Sequence, residues 1–140
     1  MWLLPALSRV ARLVTGTYYS LTIDGAPVPR GGPVLLVGNH PNSLLDPALL
    51  AAAAGRPVRF LAKAPLFAMP QLGWLMRAAG CIPVYRRLDD PAQMARNVDS
   101  LAAAEVALAE GSAIGLFPEG ISHHEPALAP LKTGAARIAL

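Results

Sequence analysis

The sequence predicts an α/β domain, with a largely parallel central sheet flanked by helices and preceded by an amphipathic amino-terminal helix. Three observations predict it. The runs Pro33–Gly38, Val58–Ala62, Ile82–Tyr85 and Ala113–Phe117 are continuously apolar rather than alternating, the pattern of strands buried on both faces. Segments with helix start and stop signals lie between them. A chain of 140 residues, 54% of them hydrophobic, supports one core rather than two.

The elements follow in order. From Met1 to Thr17, Trp2, Leu3, Leu4, Leu7, Val10, Leu13 and Val14 recur at near-helical spacing with Arg9 and Arg12 among them. The apolar stretch before Arg9 is far short of the roughly 20 residues a bilayer crossing needs. An interfacial helix, or one packed on its own domain, is expected instead of a transmembrane span, and without a positive n-region it does not read as a signal peptide. Residues 18–140 form the domain proper. Tyr18–Ile23, aromatic and β-branched and closed by Asp24-Gly25, is expected as a strand.

After the first buried run, Asp46-Pro47 opens a helix as N-cap and N1, and Gly55 closes it. Asp90-Pro91 opens a second, stopped by Gly111, whose Met94, Val98, Leu101, Val106 and Leu108 are expected to cover the sheet. Lys132–Leu140 reads as a helix without a stop signal, so the domain is expected to be incomplete at its carboxyl end.

Composition narrows the function classes. A net charge of +3 suits phosphate, CoA or an anionic membrane surface, but no basic run interleaves with aromatics, so nucleic acid is excluded as a partner. The mean hydropathy of +0.41 points to apolar surface used for lipid or for missing chain. The single cysteine, Cys81, rules out an internal disulfide, fits a reducing compartment and reads as a small apolar filler.

Chemistry concentrates between Val37 and Pro47. In open α/β sheets ligands bind at the carboxyl ends of strands, and there the chain places Asn39, His40, Asn42, Ser43 and Asp46. An imidazole can take a proton from an alcohol, and a carboxylate on its other nitrogen fixes the tautomer and stabilises the imidazolium. On one continuous helix six positions separate side chains by roughly 240°, so a His40–Asp46 contact requires the loop to fold back, as Pro41 and Pro47 permit.

The segment Asn39-His40 through Asp46-Pro47 resembles the first signature of the phospholipid/glycerol acyltransferase family. The commonest form of that signature is H-x4-D; the H-x5-D spacing here is similar to that of a subset of glycerol-3-phosphate and dihydroxyacetone-phosphate acyltransferases. Gly80-Cys81-Ile82-Pro83-Val84-Tyr85-Arg86-Arg87 resembles the second block and Phe117-Pro118-Glu119-Gly120-Ile121-Ser122 the third, in family order. A fourth, proline-containing block would lie beyond Leu140.

The resemblance implies an O-acyltransferase of phospholipid synthesis at the cytoplasmic face of a membrane, peripheral or interfacial. It would move a fatty acyl group from acyl-CoA or acyl carrier protein to glycerol-3-phosphate, dihydroxyacetone phosphate or lysophosphatidate. It implies His40 as general base and Asp46 as its partner, with no resident cofactor or metal. The acceptor would be held by the arginine of the second block and the Glu-Gly turn of the third. Arg86 matches that arginine more closely than Arg87, and a guanidinium suits phosphate; either could instead be a solvated charge paired with Asp89 or Asp90.

Asn39, Lys63, Gly120 and Ser122 complete the expected substrate contacts. Glu119 repels phosphate, so it is expected to orient a hydroxyl, pair with an arginine or accept backbone donors. No G-x-S-x-G elbow supports an acyl-enzyme. Leu66, Phe67, Met69, Leu72, Trp74, Leu75 and Met76 could wall an acyl channel or serve as core. Two rival functions are a noncatalytic lipid-binding module and a metal-dependent hydrolase. The second would use His123, His124 and Glu125 with His40 and Asp46, although adjacent histidines on extended chain face opposite ways.

Overall fold

The computed structural model describes residues 3–43, 45–125 and 127–140. Four parallel strands, β1 (Val34–Val37), β2 (Val58–Lys63), β3 (Ile82–Val84) and β4 (Ala113–Leu116), form one sheet in the order β1-β4-β2-β3. The last strand in sequence is therefore inserted between the first two. Its neighbours register as Val34 to Ala113 and Val58 to Ala113, with Leu61 opposite Ile82 on the far side of β2.

Helices cover both faces, which explains why the strands read as continuous apolar runs. On one face Leu35, Leu61, Ile82, Ile114 and Leu116 pack with Ala104, Ala107 and Leu108 of α5 (Asn97–Ala109) and Ile138 of α6 (Gly134–Ala139). On the other, Val34, Leu36, Val58, Phe60 and Ala113 meet Ala54 of α2 (Leu45–Ala54). The period-two alternation between these sets is that of a pleated sheet. Gly115 of β4 has no room for a side chain, since a Cβ there would lie 2.5 Å from the Phe60 ring.

The helix α1 (Leu4–Tyr18) packs across α2 and reaches β2. Thr15 is buried, its hydroxyl donating to the Ala11 carbonyl at 2.7 Å. Val10, Leu13, Val14 and Tyr18 remain 55%, 71%, 46% and 78% exposed. Trp2, assigned to the same apolar face, lies outside the described residues. Between β2 and β3 run two short helices, α3 (Pro65–Ala68) and α4 (Pro70–Ala78), with Met69 and Trp74 half exposed.

Three expectations are corrected. Tyr18–Ile23 is no strand: Tyr18 ends α1, and Tyr19, Leu21 and Ile23 lie exposed without a ladder partner, which β propensity cannot replace. The 90–110 helix is two pieces, a 3-10 helix Pro91–Arg96 capped by the Asp90 carboxylate on the Ala92 amide, then α5. The buried face of α5 is built from Ser100, Ala104 and Ala107, flanked by Leu101 and Leu108. Met94, Val98 and Val106 face outward at 37%, 65% and 58% exposure, because only small residues let the helix lie close on the sheet. Third, α2 begins at Leu45, so Asp46 sits in its first turn rather than ahead of it.

Candidate active site

The carboxyl ends of all four strands converge on one edge of the sheet. The chain leaving β1 keeps the ladder for one more residue, with the Gly38 amide donating to the Leu116 carbonyl at 3.3 Å, before Pro41 turns it away. The loop then folds back. The Asp46 amide donates to the Asn42 carbonyl at 3.1 Å, and Asp46 Oδ2 accepts from the Asn42 amide at 2.7 Å. The same oxygen lies 2.9 Å from His40 Nδ1. The cap expected of Asp46 is thus turned backward: its carboxylate closes the 40–46 loop instead of receiving α2 amides.

Because an ionised carboxylate only accepts, His40 Nδ1 carries the proton, and the neutral ring keeps its Nε2 lone pair. Among the described residues no protein group bonds that Nε2. The ring stacks on Phe117 at 4.2 Å between centroids and 11° between planes, and Phe117 stacks on Phe60 at 6.2 Å. Gly38 leaves room for this, since a Cβ there would meet Phe117 at 3.3 Å. Two phenyl rings and one carboxylate therefore set the plane of an imidazole whose side chain is 18% exposed.

The loop after β4 holds the backbone of His40. Glu119, 3% exposed, accepts the His40 amide on Oε1 at 3.0 Å and the Ala129 amide on Oε2 at 2.8 Å. His123 Nε2 bonds the same Oε2, and the His123 amide donates to the His40 carbonyl at 3.3 Å. Of the three roles expected of Glu119, acceptance of backbone donors is the one its geometry serves. The His123 bond first, then the Ala129 and His40 amides, lower its pKa from 4.5 to about 2. His123 thus locks Glu119, while its Nδ1 is buried without a protein partner among the described residues. His124 and Glu125 are exposed.

Arg86, just past β3, pairs with Asp89 through two parallel bonds of 2.6 and 2.7 Å and donates from Nη1 to the Gly120 carbonyl at 3.2 Å. That guanidinium holds the Asp89 carboxyl below its ordinary range. Arg86 is therefore a paired charge that braces the Gly120 turn, and Arg87 is exposed. Gly120 has φ +70, and a Cβ there would lie 2.5 Å from Lys132 Nζ. Lys132 bonds through its own amide to the Pro118 carbonyl at 2.8 Å. Sequence reasoning missed this contact, which spans fourteen positions with two prolines between its ends and leaves no local signal.

The remaining expected contacts, Asn39, Lys63 and Ser122, are all exposed, after β1, at the end of β2 and after β4 respectively. A cavity of about 590 Å³ opens beside Arg86, lined among others by Ala64, Phe67, Cys81, Pro83, Tyr85 and Arg96; His40 is outside it. Phe67 is the one member of the expected acyl wall that reaches this cavity. Burial pushes the Cys81 thiol up, as suits an apolar filler. Among the described residues no cluster of three or more His, Cys, Asp or Glu could hold a metal.

Comparison with known proteins places this edge in context. A family model described as "Acyltransferase" matches residues 20–140. The chloroplastic 1-acyl-sn-glycerol-3-phosphate acyltransferase of Brassica napus is 34% identical over 76% of this chain and 29% of its own length. The chloroplastic enzyme of the same description from Arabidopsis thaliana is 32% identical over 87% and 33%. The one from Borreliella burgdorferi is 31% identical over 81% and 43%. The chain thus spans about a third of the length of the curated relatives it matches. In fold it is similar to the crystal structure of the 1-acyl-sn-glycerophosphate acyltransferase PlsC of Thermotoga maritima, with a TM-score of 0.71 and 24% identity over 99% of this chain and 53% of that one. By a family match that covers the whole sheet and every residue of the site, the chain belongs to the Acyltransferase family.

Proposed function

We propose that this chain carries the catalytic half-site of an O-acyltransferase that moves a fatty acyl group from a thioester to a hydroxyl of a glycerol-phosphate acceptor. The observation that carries the reading is the His40–Asp46 pair, with Nδ1 engaged at 2.9 Å and Nε2 left for a substrate. The relatives named above are described as acting on 1-acyl-sn-glycerol-3-phosphate, which makes lysophosphatidate the favoured acceptor over glycerol-3-phosphate or dihydroxyacetone phosphate. The donor is acyl-CoA or an acyl carrier protein thioester.

In the proposed step His40 Nε2 accepts the acceptor's hydroxyl proton as that oxygen attacks the thioester carbonyl carbon. The tetrahedral adduct collapses with cleavage of the C–S bond, and the imidazolium returns the proton to the departing thiolate. Asp46 stabilises the imidazolium and fixes the reactive tautomer, a contribution of about 10²- to 10⁴-fold in general acid–base chemistry. Phe117 and the Glu119 loop hold the ring still, so that its orientation is set before substrate arrives.

The membrane part of the reading is supported by the exposed apolar face of α1, bordered by the exposed Arg9 and Arg12, and by the half-exposed Met69 and Trp74. Among the described residues no helix is long and apolar enough to cross a bilayer, and an interfacial placement suits this surface. The test is acyl transfer from labelled long-chain acyl-CoA and acyl carrier protein to the three acceptors. Product with lysophosphatidate that vanishes in His40→Ala is expected. No product with any pair, from a folded chain joined to its natural continuation, would sink the reading.

A further inference from the structure

His40 is held twice over, by its ring and by its peptide. Asp46 and Phe117 hold the ring. The peptide groups are held by the segment that follows β4: the His40 amide donates to Glu119 Oε1 at 3.0 Å, and the His40 carbonyl accepts from the His123 amide at 3.3 Å. His123 enters this clamp a second time through its side chain. Its Nε2 bonds the other carboxylate oxygen of Glu119, which also accepts the Ala129 amide at 2.8 Å.

Glu119, with its pKa lowered to about 2, is ionised and only accepts, so His123 Nε2 carries the proton of that bond. The other ring nitrogen, Nδ1, is buried without a protein partner among the described residues, a cost that a phenyl ring of similar size would not carry. Packing alone therefore does not account for an imidazole at this position. What the imidazole adds is the Nε2 bond, and among the partners of Glu119 it lowers the carboxyl pKa most. Without it, Oε2 of a carboxylate only 3% exposed keeps a single amide donor. The group then has to turn toward other donors or take up a proton, and either change loosens its hold on the His40 amide.

We propose that His123 is a positioning residue for the general base: its Nε2 fixes the Glu119 carboxylate, the carboxylate fixes the His40 peptide, and the imidazole of His40 is thereby set for proton transfer. This rests on the acyltransferase reading for its reaction but not for the clamp itself. A misplacement of about 1 Å at the reacting groups costs about 10²-fold in rate. His123 acts through Glu119, so its loss falls on kcat rather than on the KM of either substrate.

His123→Phe keeps a ring and the backbone amide but removes the Nε2 donor, and His123→Gln places an amide donor close to where Nε2 stands. In acyl transfer from acyl-CoA to lysophosphatidate, by the full chain joined to its natural continuation, the Phe variant should lower kcat by about 10- to 100-fold. Both KM values should stay within about threefold of the parent, and the Gln variant should recover most of the lost rate. Where the Phe variant fails to fold, His123→Asn takes its place, since its shorter amide stops short of Glu119. Proton NMR reads the same clamp without turnover: the resonance of the His40 Nδ1 proton, on its bond to Asp46, should shift or broaden in the Phe variant and return in the Gln variant.

A parent-like kcat without the Nε2 donor, a loss that the Gln variant does not recover, a change confined to KM, or a His40 resonance identical in all variants would overturn the proposal. A chain that transfers no acyl group, yet whose His40 resonance moves in the Phe variant and returns in the Gln variant, would defeat the enzyme reading and leave the clamp standing. An active parent with an equally active Phe variant would do the reverse.

Discussion

Glu119 shows how a single buried residue can tie the loops of a site together through its backbone and side-chain partners. Three donors converge on its buried carboxylate, and the His123 bond first among them lowers its pKa from 4.5 to about 2. A carboxyl with a depressed folded-state pKa contributes stability that is present above its unfolded value and lost as pH falls through the folded one. The window here runs from about pH 4.5 down to about pH 2. Glu119→Gln should therefore flatten the part of the stability profile that falls across that window, measured by urea unfolding at each pH. An unchanged slope would show that the carboxylate is not ionised in the fold. At this scale the sequence made His40 and Asp46 readable because a short, proline-bounded loop joins them. The partners of Glu119, at positions 40, 123 and 129, come together only through the insertion of β4 beside β1.

Among elements, the four strands were legible because burial on both faces leaves a continuous apolar run, and α2 and the helical stretch from Pro91 to Ala109 because an Asp-Pro near the start and a glycine past the end mark each. What failed failed for a tertiary reason. Tyr18–Ile23 has strand composition without a neighbour, and the apolar stripe drawn on α5 ran through Val98 and Val106 when alanines fill the contact. The short edge strand β3 is prolonged by a side chain in place of a strand. Asn97 Oδ1 accepts the Tyr85 amide at 2.9 Å, and its Nδ2 donates to the Tyr85 carbonyl at 2.7 Å. Asn97→Ala leaves both half-buried backbone groups unpaired and should cost about 1–3 kcal/mol in denaturant unfolding. Asn97→Asp, which can still accept, should cost less; equal loss in both would contradict this account of the edge.

Across the whole molecule, one edge of the sheet gathers His40, Lys63, Arg86 and the Phe117–Ser122 loop from four strand ends, while α1 presents Val10, Leu13, Val14 and Tyr18 on the outside. Under the proposed function the first is the reaction edge and the second a lipid-facing surface. Leu13→Asp, at a residue 71% exposed, should leave the fold intact and weaken binding to anionic phosphatidylglycerol vesicles by roughly tenfold or more, the equivalent of one lost leucine burial. Unchanged vesicle binding would detach α1 from the membrane role.

The central claim is that His40 and Asp46 act as one catalytic unit, and a double-mutant cycle on kcat for acyl transfer to lysophosphatidate tests it most directly. With melting temperatures matched, His40→Ala should reduce transfer to background and Asp46→Asn should lower it by about 10²- to 10⁴-fold. The double variant should be no slower than His40→Ala alone, as expected for residues that act together. Losses that simply add, or transfer that survives His40→Ala, would contradict the account.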